Sequence, residues 1–240
     1  MLAHRGLAIE APENTLLAFA KALAVGVTHI ETDVHVSADD VAMISHDPDL
    51  RRLTGRRATL AHLTAAELRR IDLGAGQGYC SLAEALDGFP DVRFNIDIKA
   101  GAAVGPTVDA VVAAHAAQRV LIGSFSPARR LAALRMLPDV ATSISARGAV
   151  GAVAAARAGS LVTLRRILRD VQAVQLPASV LGMQSFTSRT LPRFHAVGVE
   201  VHAWTVNEPA EMDRLLALGV DGLVTDRADL GIEALERFRA

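Results

Sequence analysis

The stretch HIETDVHVSADDVAMISHD, residues 29–47, sets Glu31 and Asp33 one residue apart and brings in His46 and Asp47 after a short polar turn. Alternate residues of a strand share a face, so in an extended segment the two carboxylates point the same way. A third carboxylate, Asp97, stands in the segment NIDIK. Converging carboxylates repel and raise one another's pKa values. One hard divalent cation bound through oxygen, Mg²⁺ or Ca²⁺ with Mn²⁺ as a third candidate, would remove that repulsion. The competing reading is that one or more of the three pairs with Arg5 or Lys99. His4 and His46 are candidates for a general acid/base pair, because imidazole titrates near neutral pH. Arg5 and Lys99 supply positive charge suited to sharing the charge of a phosphoryl group.

The remaining polar residues are less decisive. Asn14 and Thr15 in APENT read as caps of a helix start. Glu13 is either a rim ligand or a partner for Arg5, and Trp204 either walls a pocket or packs beneath it. Asp47 orients a neighbour or turns the chain before Pro48, and His35 sits higher on the same strand face. His62, His115, His195 and His202 read as structural or surface residues.

For these groups to meet, the elements carrying them must share one rim. Short apolar, β-branched segments alternate with longer helical patterns, the signature of βα units around a parallel sheet. Strands are expected at 1–4, 28–34, 41–46, 93–98, 120–125, 140–145, 171–176, 199–206 and 220–225. Helices are expected at 13–25, 64–71, 82–88, 105–117, 127–137, 149–158, 162–169, 187–197 and 208–218. The connection between 28–34 and 41–46 is too short for a parallel crossover, which needs a dozen or more residues. Those two strands therefore form an antiparallel hairpin turning at SADD. Eight βα strands remain, giving a TIM (β/α)8 barrel with a hairpin extension after its second strand. Catalytic groups of such barrels sit at the C-terminal ends of several strands, where His4, Glu31, Asp33, Asp97 and Trp204 all fall.

Composition bounds the function. At 240 residues with no linker, repeat or composition break, the chain reads as a single domain over 1–240. Its 25 basic and 26 acidic residues nearly cancel, which argues against a nucleic-acid partner or a polybasic membrane-surface protein. The single Cys80 excludes an internal disulfide framework, and no signal peptide or spanning apolar run is expected, so the setting reads as cytoplasmic without stable membrane association. Only Lys21 and Lys99 are lysines in an otherwise arginine-using chain, which suggests that a compact ammonium is wanted at Lys99.

The motifs AHRG, PENT, IETDVHVSADD, ISHDPDLRRLTG, NIDIK, AWTVN and GVDGLVTD, in this order, resemble the glycerophosphodiester phosphodiesterase family almost from end to end. The resemblance implies a TIM barrel that cleaves a small-molecule glycerophosphodiester to sn-glycerol 3-phosphate and an alcohol. It implies Glu31, Asp33 and Asp97 as metal ligands and His4 and His46 as the acid/base pair. Arg5 and Lys99 would bind the phosphate, with Trp204 on the substrate. Many members have Glu where this chain has Asp97. Residues 48–81 match the family's small insertion and read as a lid containing GAGQGYCSL. The rival readings are a lysophospholipase D-type lipid phosphodiesterase, for which no apolar lid or docking helix is evident, and a catalytically silent phosphodiester- or metal-binding barrel. Retention of every ionisable motif position argues against the silent barrel.

Overall fold

The computed structural model describes residues 1–239. The chain starts with β1 (Leu2–His4), α1 (Leu16–Ala24), β2 (His29–Val36) and β3 (Ala42–Ile44), followed by α2 (Arg51–Thr54), α3 (Ala65–Arg69) and α4 (Leu82–Gly88). Next come β4 (Arg93–Ile98), α5 (Val104–Ala113), β5 (Val120–Gly123), α6 (Pro127–Met136) and β6 (Ala141–Thr142). Two helices in succession, α7 (Ala146–Ala158) and α8 (Leu161–Leu168), lead to β7 (Ala173–Leu176) and a small hairpin, β8 (Ser179–Val180) and β9 (Met183–Gln184). The chain finishes with α9 (Leu191–His195), β10 (Glu200–Ala203), α10 (Pro209–Leu218), β11 (Gly222–Thr225) and α11 (Ala228–Arg239).

Eight strands run parallel in the order β6-β5-β4-β2-β1-β11-β10-β7, and a parallel bridge from Ser143 to Ala173 brings the two ends together. This is a TIM barrel. β3 stands outside it, antiparallel to β2 with Val34 opposite Ile44, as the short connection requires. Alternation along the strands divides their side chains between two environments. Ile30, Val34, Phe94, Ile96 and Ile98 pack outward under the helices with Phe19, whose ring meets Phe94 edge-on at 5.9 Å. Glu31, Asp33, Asn95 and Asp97 turn inward.

Several expected elements shift. The strand expected at 140–145 shortens to Ala141–Thr142, and the helix expected at 187–197 shortens to Leu191–His195. The hairpin of β8 and β9 and the terminal helix α11 were not anticipated. Residues 48–81, expected as a lid, hold a small core of their own in this structure. Leu50, Leu60 and Leu68 are fully buried with Met43, Ile71 and Tyr79 in an apolar cluster of their own, and none of the segment lines the cavity at the barrel mouth. The segment is a packed annex beside the barrel.

At the other end of β2, His29 is held down to about 4 by burial, then by the terminal ammonium and Arg93. Between pH 6.5 and about 4 the unfolded chain binds a proton here that the folded chain does not. Stability should therefore fall as pH drops through that window. The loss should be about 1 kcal/mol once solvent screening of this half-exposed ring is allowed for. Urea denaturation at pH 7 and pH 4.5 checks this: His29→Gln should lose less stability on acidification than the parent, and an equal loss would remove His29 as the cause.

Candidate active site

The cavity at the C-terminal mouth of the barrel has a volume of about 390 Å³. His4, Arg5, Glu31, Asp33, His46, Asp97, Lys99 and Trp204, all singled out by sequence, line it together. Strand register explains the convergence. In the parallel sheet His4 pairs with Glu31, and Asp33 lies level with Asp97 on the neighbouring strand. The β2–β3 hairpin then returns the chain so that His46 reaches the same mouth, with the amide of Ser45 donating to the Asp33 carbonyl at 2.9 Å.

The turn after β1 is equally constrained. Arg5 and Gly6 both have positive φ, at 59° and 85°. A Cβ on Gly6 would stand 2.7 Å from the Ala18 backbone of α1, so only glycine allows that helix to approach. Thr15 caps α1 through a hydrogen bond from the Ala18 amide. Asn14 does not share this role. With φ at 57° it donates from Nδ2 to Asp33 Oδ2 at 3.2 Å and accepts from the Thr32 hydroxyl at 2.8 Å.

Each histidine is held through Nδ1 by a carboxylate. His4 Nδ1 lies 2.6 Å from Asp226 Oδ1, and His46 Nδ1 lies 2.8 Å from Asp47 Oδ1. These contacts place the ring proton on Nδ1 and leave Nε2 to act as acceptor in the neutral ring. The hydrogen bond from His4 is the main cause holding the Asp226 carboxyl below its usual range, and Asn207 Nδ2 donates to its other oxygen at 2.8 Å. Asp47 also accepts from Arg52 Nε, while the same guanidinium donates to both oxygens of Glu13. Glu13 is a partner for Arg5 as well, at 3.1 Å. The annex thus braces His46 through Arg52.

Between the two histidines lies a knot of opposite charges. Lys99 Nζ sits 2.8 Å from Asp33 Oδ1 and 2.7 Å from Asp97 Oδ2, and Arg5 Nε lies 3.2 Å from Asp33 Oδ2. Burial alone would raise the Asp33 carboxyl, but Lys99 and Arg5 hold it below its ordinary value. Glu31 has the opposite fate. Burial first, then Asp33 and Asp97, lift its carboxyl well above the usual range. As the side chains stand, no three His, Cys, Asp or Glu residues among those described close on a single ion, since the Lys99 ammonium separates Asp33 from Asp97. The pairing with Lys99 and Arg5 anticipated as the competing reading is therefore present.

Trp204 walls the cavity, and its ring meets Phe125 edge-on at 5.8 Å. Sequence reasoning missed Phe125, Arg52, Asn14's bond to Asp33 and, above all, Asp226. Asp226 ends GVDGLVTD, and its position at the C-terminal end of β11 was the available signal.

The arrangement tests the lysine argument directly. Lys99→Arg should lower kcat/KM about tenfold, because a planar guanidinium cannot occupy a compact ammonium's place between Asp33 and Asp97. Lys21 pairs with Glu10 at 2.6 Å away from the cavity, so Lys21→Arg should stay within about twofold of the parent. Steady-state kinetics on both variants would show equal tolerance if the choice of lysine is immaterial.

A barrel mouth furnished in this way brings two carboxylate-held histidines and two cationic side chains to one cavity. Comparison with known proteins narrows the class. Residues 4–230 match the model of the Glycerophosphoryl diester phosphodiesterase family. The chain belongs to that family and is a glycerophosphodiester phosphodiesterase in activity. It is 44% identical over 231 residues to the Mycobacterium tuberculosis protein "Probable glycerophosphodiester phosphodiesterase 2", covering 95% of this chain and 88% of that one. Among solved structures, it resembles the glycerophosphodiester phosphodiesterase of Thermotoga maritima (TM-score 0.74, 27% identity, 97% and 96% of the two chains). It also resembles an Oleispira antarctica phosphodiesterase in complex with sn-glycerol-3-phosphate (TM-score 0.78, 23% identity, 98% and 96%). No helix among the described residues is long and apolar enough to cross a membrane.

Proposed function

We propose that the chain hydrolyses glycerophosphodiesters to sn-glycerol 3-phosphate and an alcohol, using His4 and His46 as the acid–base pair and a divalent cation held by Glu31, Asp33 and Asp97. The observation that carries this reading is the pair of histidine–carboxylate couples, His4–Asp226 and His46–Asp47, lining one cavity with Arg5 and Lys99. The product bound to the Oleispira antarctica phosphodiesterase supports the choice of sn-glycerol 3-phosphate.

The residues fit a hard cation. All three carboxylates offer oxygen. Asp97 Oδ1 is buried without a hydrogen-bond partner, and the Glu31 carboxyl, raised first by burial and then by Asp33 and Asp97, would be relieved by a cation beside it. Such a cation supplies Lewis-acid stabilisation of charge developing on phosphoryl and attacking oxygens.

The chain's own groups account for the proton traffic. Arg5 and Lys99 hold the phosphoryl oxygens. One histidine takes the proton of the glycerol C2 hydroxyl as that oxygen attacks phosphorus, and the other gives a proton to the departing alcohol oxygen. The product of this step is a cyclic phosphate. In the second step water attacks phosphorus, the histidine that donated now accepts the water proton, and its partner protonates the C2 oxygen as the ring opens. Both histidines return to their starting forms. Asp226 and Asp47 orient the rings and steady each imidazolium as it forms.

The test is release of sn-glycerol 3-phosphate from glycerophosphodiesters by the full chain before and after chelation. Activity should fall at least tenfold on chelation and return with Mg²⁺, Ca²⁺ or Mn²⁺. Metal should also raise the melting temperature of the parent more than that of Asp97→Asn. Full activity after exhaustive chelation would remove the cation from this reading.

A further inference from the structure

The cavity has two chemically distinct sides. Its charged side is already described. Round the barrel from β5 to β10 the cavity has a wall of Phe125, Ile144, Ala149, Val150, Val180 and Trp204, with Ser124, Ser143 and Gln175 between them. Three structural features build that wall. Ala146, Ala149 and Val150 lie at i, i+3 and i+4 on α7, so one stripe of the helix faces the cavity. Ile144 is seated against Gly148, where a Cβ would come within 2.5 Å of Ile144 Cδ1, which fixes the Ile144 side chain at the foot of the same helix. The β8–β9 hairpin contributes Val180 and carries Leu181, 81% exposed, at its tip. Together with the half-exposed Phe125, it carries the apolar side outward to the rim.

Charge on this side points the same way. The acidic residues lining the cavity are Glu31, Asp33 and Asp97, all on the charged side. A quaternary ammonium binds over an open ring face. Lys99 Nζ already stands 5.5 Å from the Phe125 centroid, and Phe125 and Trp204 meet edge to face at 79°. A cationic head group over Phe125 would compete with Lys99 for that ring, and no carboxylate lining this side pairs with it. The glycerol hydroxyls need hydrogen-bond partners, which the carboxylates and histidines supply and the six apolar side chains do not.

From these observations we infer that the wall binds the leaving alcohol and selects glycerophosphodiesters whose alcohol is apolar over those whose alcohol is a quaternary amine. This rests on the reaction proposed above, for it fixes which end of the diester faces which side.

Three substrates decide the matter: the octyl ester of glycerol 3-phosphate, its choline ester, and a lysophosphatidylcholine, which carries its chain on the glycerol and a cation on the leaving group. The full-length parent should turn over the octyl ester with a kcat/KM at least tenfold above the choline ester. Across butyl, hexyl and octyl esters kcat/KM should climb about threefold per added methylene that reaches the wall. Val150→Asp should collapse that preference ratio. In the slowed His46→Ala protein the octyl ester should shift the emission of Trp204, the chain's single tryptophan, before it turns over, and the choline ester should not. A choline ester equal to or better than the octyl ester overturns the inference while leaving the proposed reaction intact. Preference for the lysophosphatidylcholine overturns the assignment of the wall to the leaving group. Turnover of none of the three overturns the proposed reaction itself, and this inference falls with it.

Discussion

His4→Ala and His46→Ala should each lower kcat about 10²-fold or more while leaving the fold intact, the usual range for removing an acid–base group. The effect is expected in kcat, because neither ring is among the cations that hold the phosphate. Each ring is fixed through Nδ1, at 2.6 Å to Asp226 and 2.8 Å to Asp47, so Nε2 is the atom available for proton transfer. If the two act as one relay, the double variant should be little worse than the poorer single one. The pH profile of kcat/KM should be bell-shaped in the parent and lose one limb in each single variant. Asp226→Asn should give a smaller loss, about tenfold, because it keeps the volume beside His4 but not the charge that steadies the imidazolium. Near-normal kcat in either alanine variant would take that histidine out of the reaction.

How far this site could be read from the sequence depended on how locally each residue's position is set. Glu31 and Asp33 share a strand, and their common direction follows from the two-residue repeat alone. His46 was placed by the length of one connection, because a link of that size permits only a hairpin and the hairpin pairs Val34 with Ile44. Asp97 and Lys99 followed once β4 was recognised as the strand beside β2.

Asp226 was not legible in the same way. It lies 222 residues from His4, and only closure of the barrel through the β1–β11 pair, with Ala3 level with Thr225, brings the two together. Asn14 misled for a different reason. Asparagine before a helix is chemically equipped to cap it, and what diverts it is a left-handed backbone that aims its amide at Asp33. The packing of the annex was not legible locally, because its glycines suggest mobility, whereas its leucines, spread over Leu50, Leu60 and Leu68, build a core only when α2 and α3 fold onto Met43. Arg52, carried by that annex, then reaches both Glu13 and Asp47, a link between segments that no local pattern encodes.

A glycerophosphodiester analogue lacking the C2 hydroxyl should bind but not turn over. In the parent substrate that hydroxyl is tethered close to phosphorus, and the effective concentration of such a tethered nucleophile far exceeds that of any free one. The site is equipped to use it. His4 Nε2 lies 3.8 Å from Glu31 Oε2, so a base and a raised, buried carboxyl stand side by side at the charged side of the cavity. Arg5 and Lys99 would still hold the phosphate of the deoxy analogue, so its inhibition constant should stay within a few-fold of the substrate's KM. Its kcat, in contrast, should be undetectable. Direct attack by water makes the opposite forecast, because water does not need the neighbouring hydroxyl as its nucleophile. Trapping adds a second readout, since a cyclic phosphate should accumulate transiently in rapid-quench samples of the parent substrate. It should persist longest in whichever histidine variant has lost the group that activates water in the second step. Turnover of the deoxy analogue near the parent rate, with no cyclic phosphate at any time point, would assign the attack on phosphorus to water from the start.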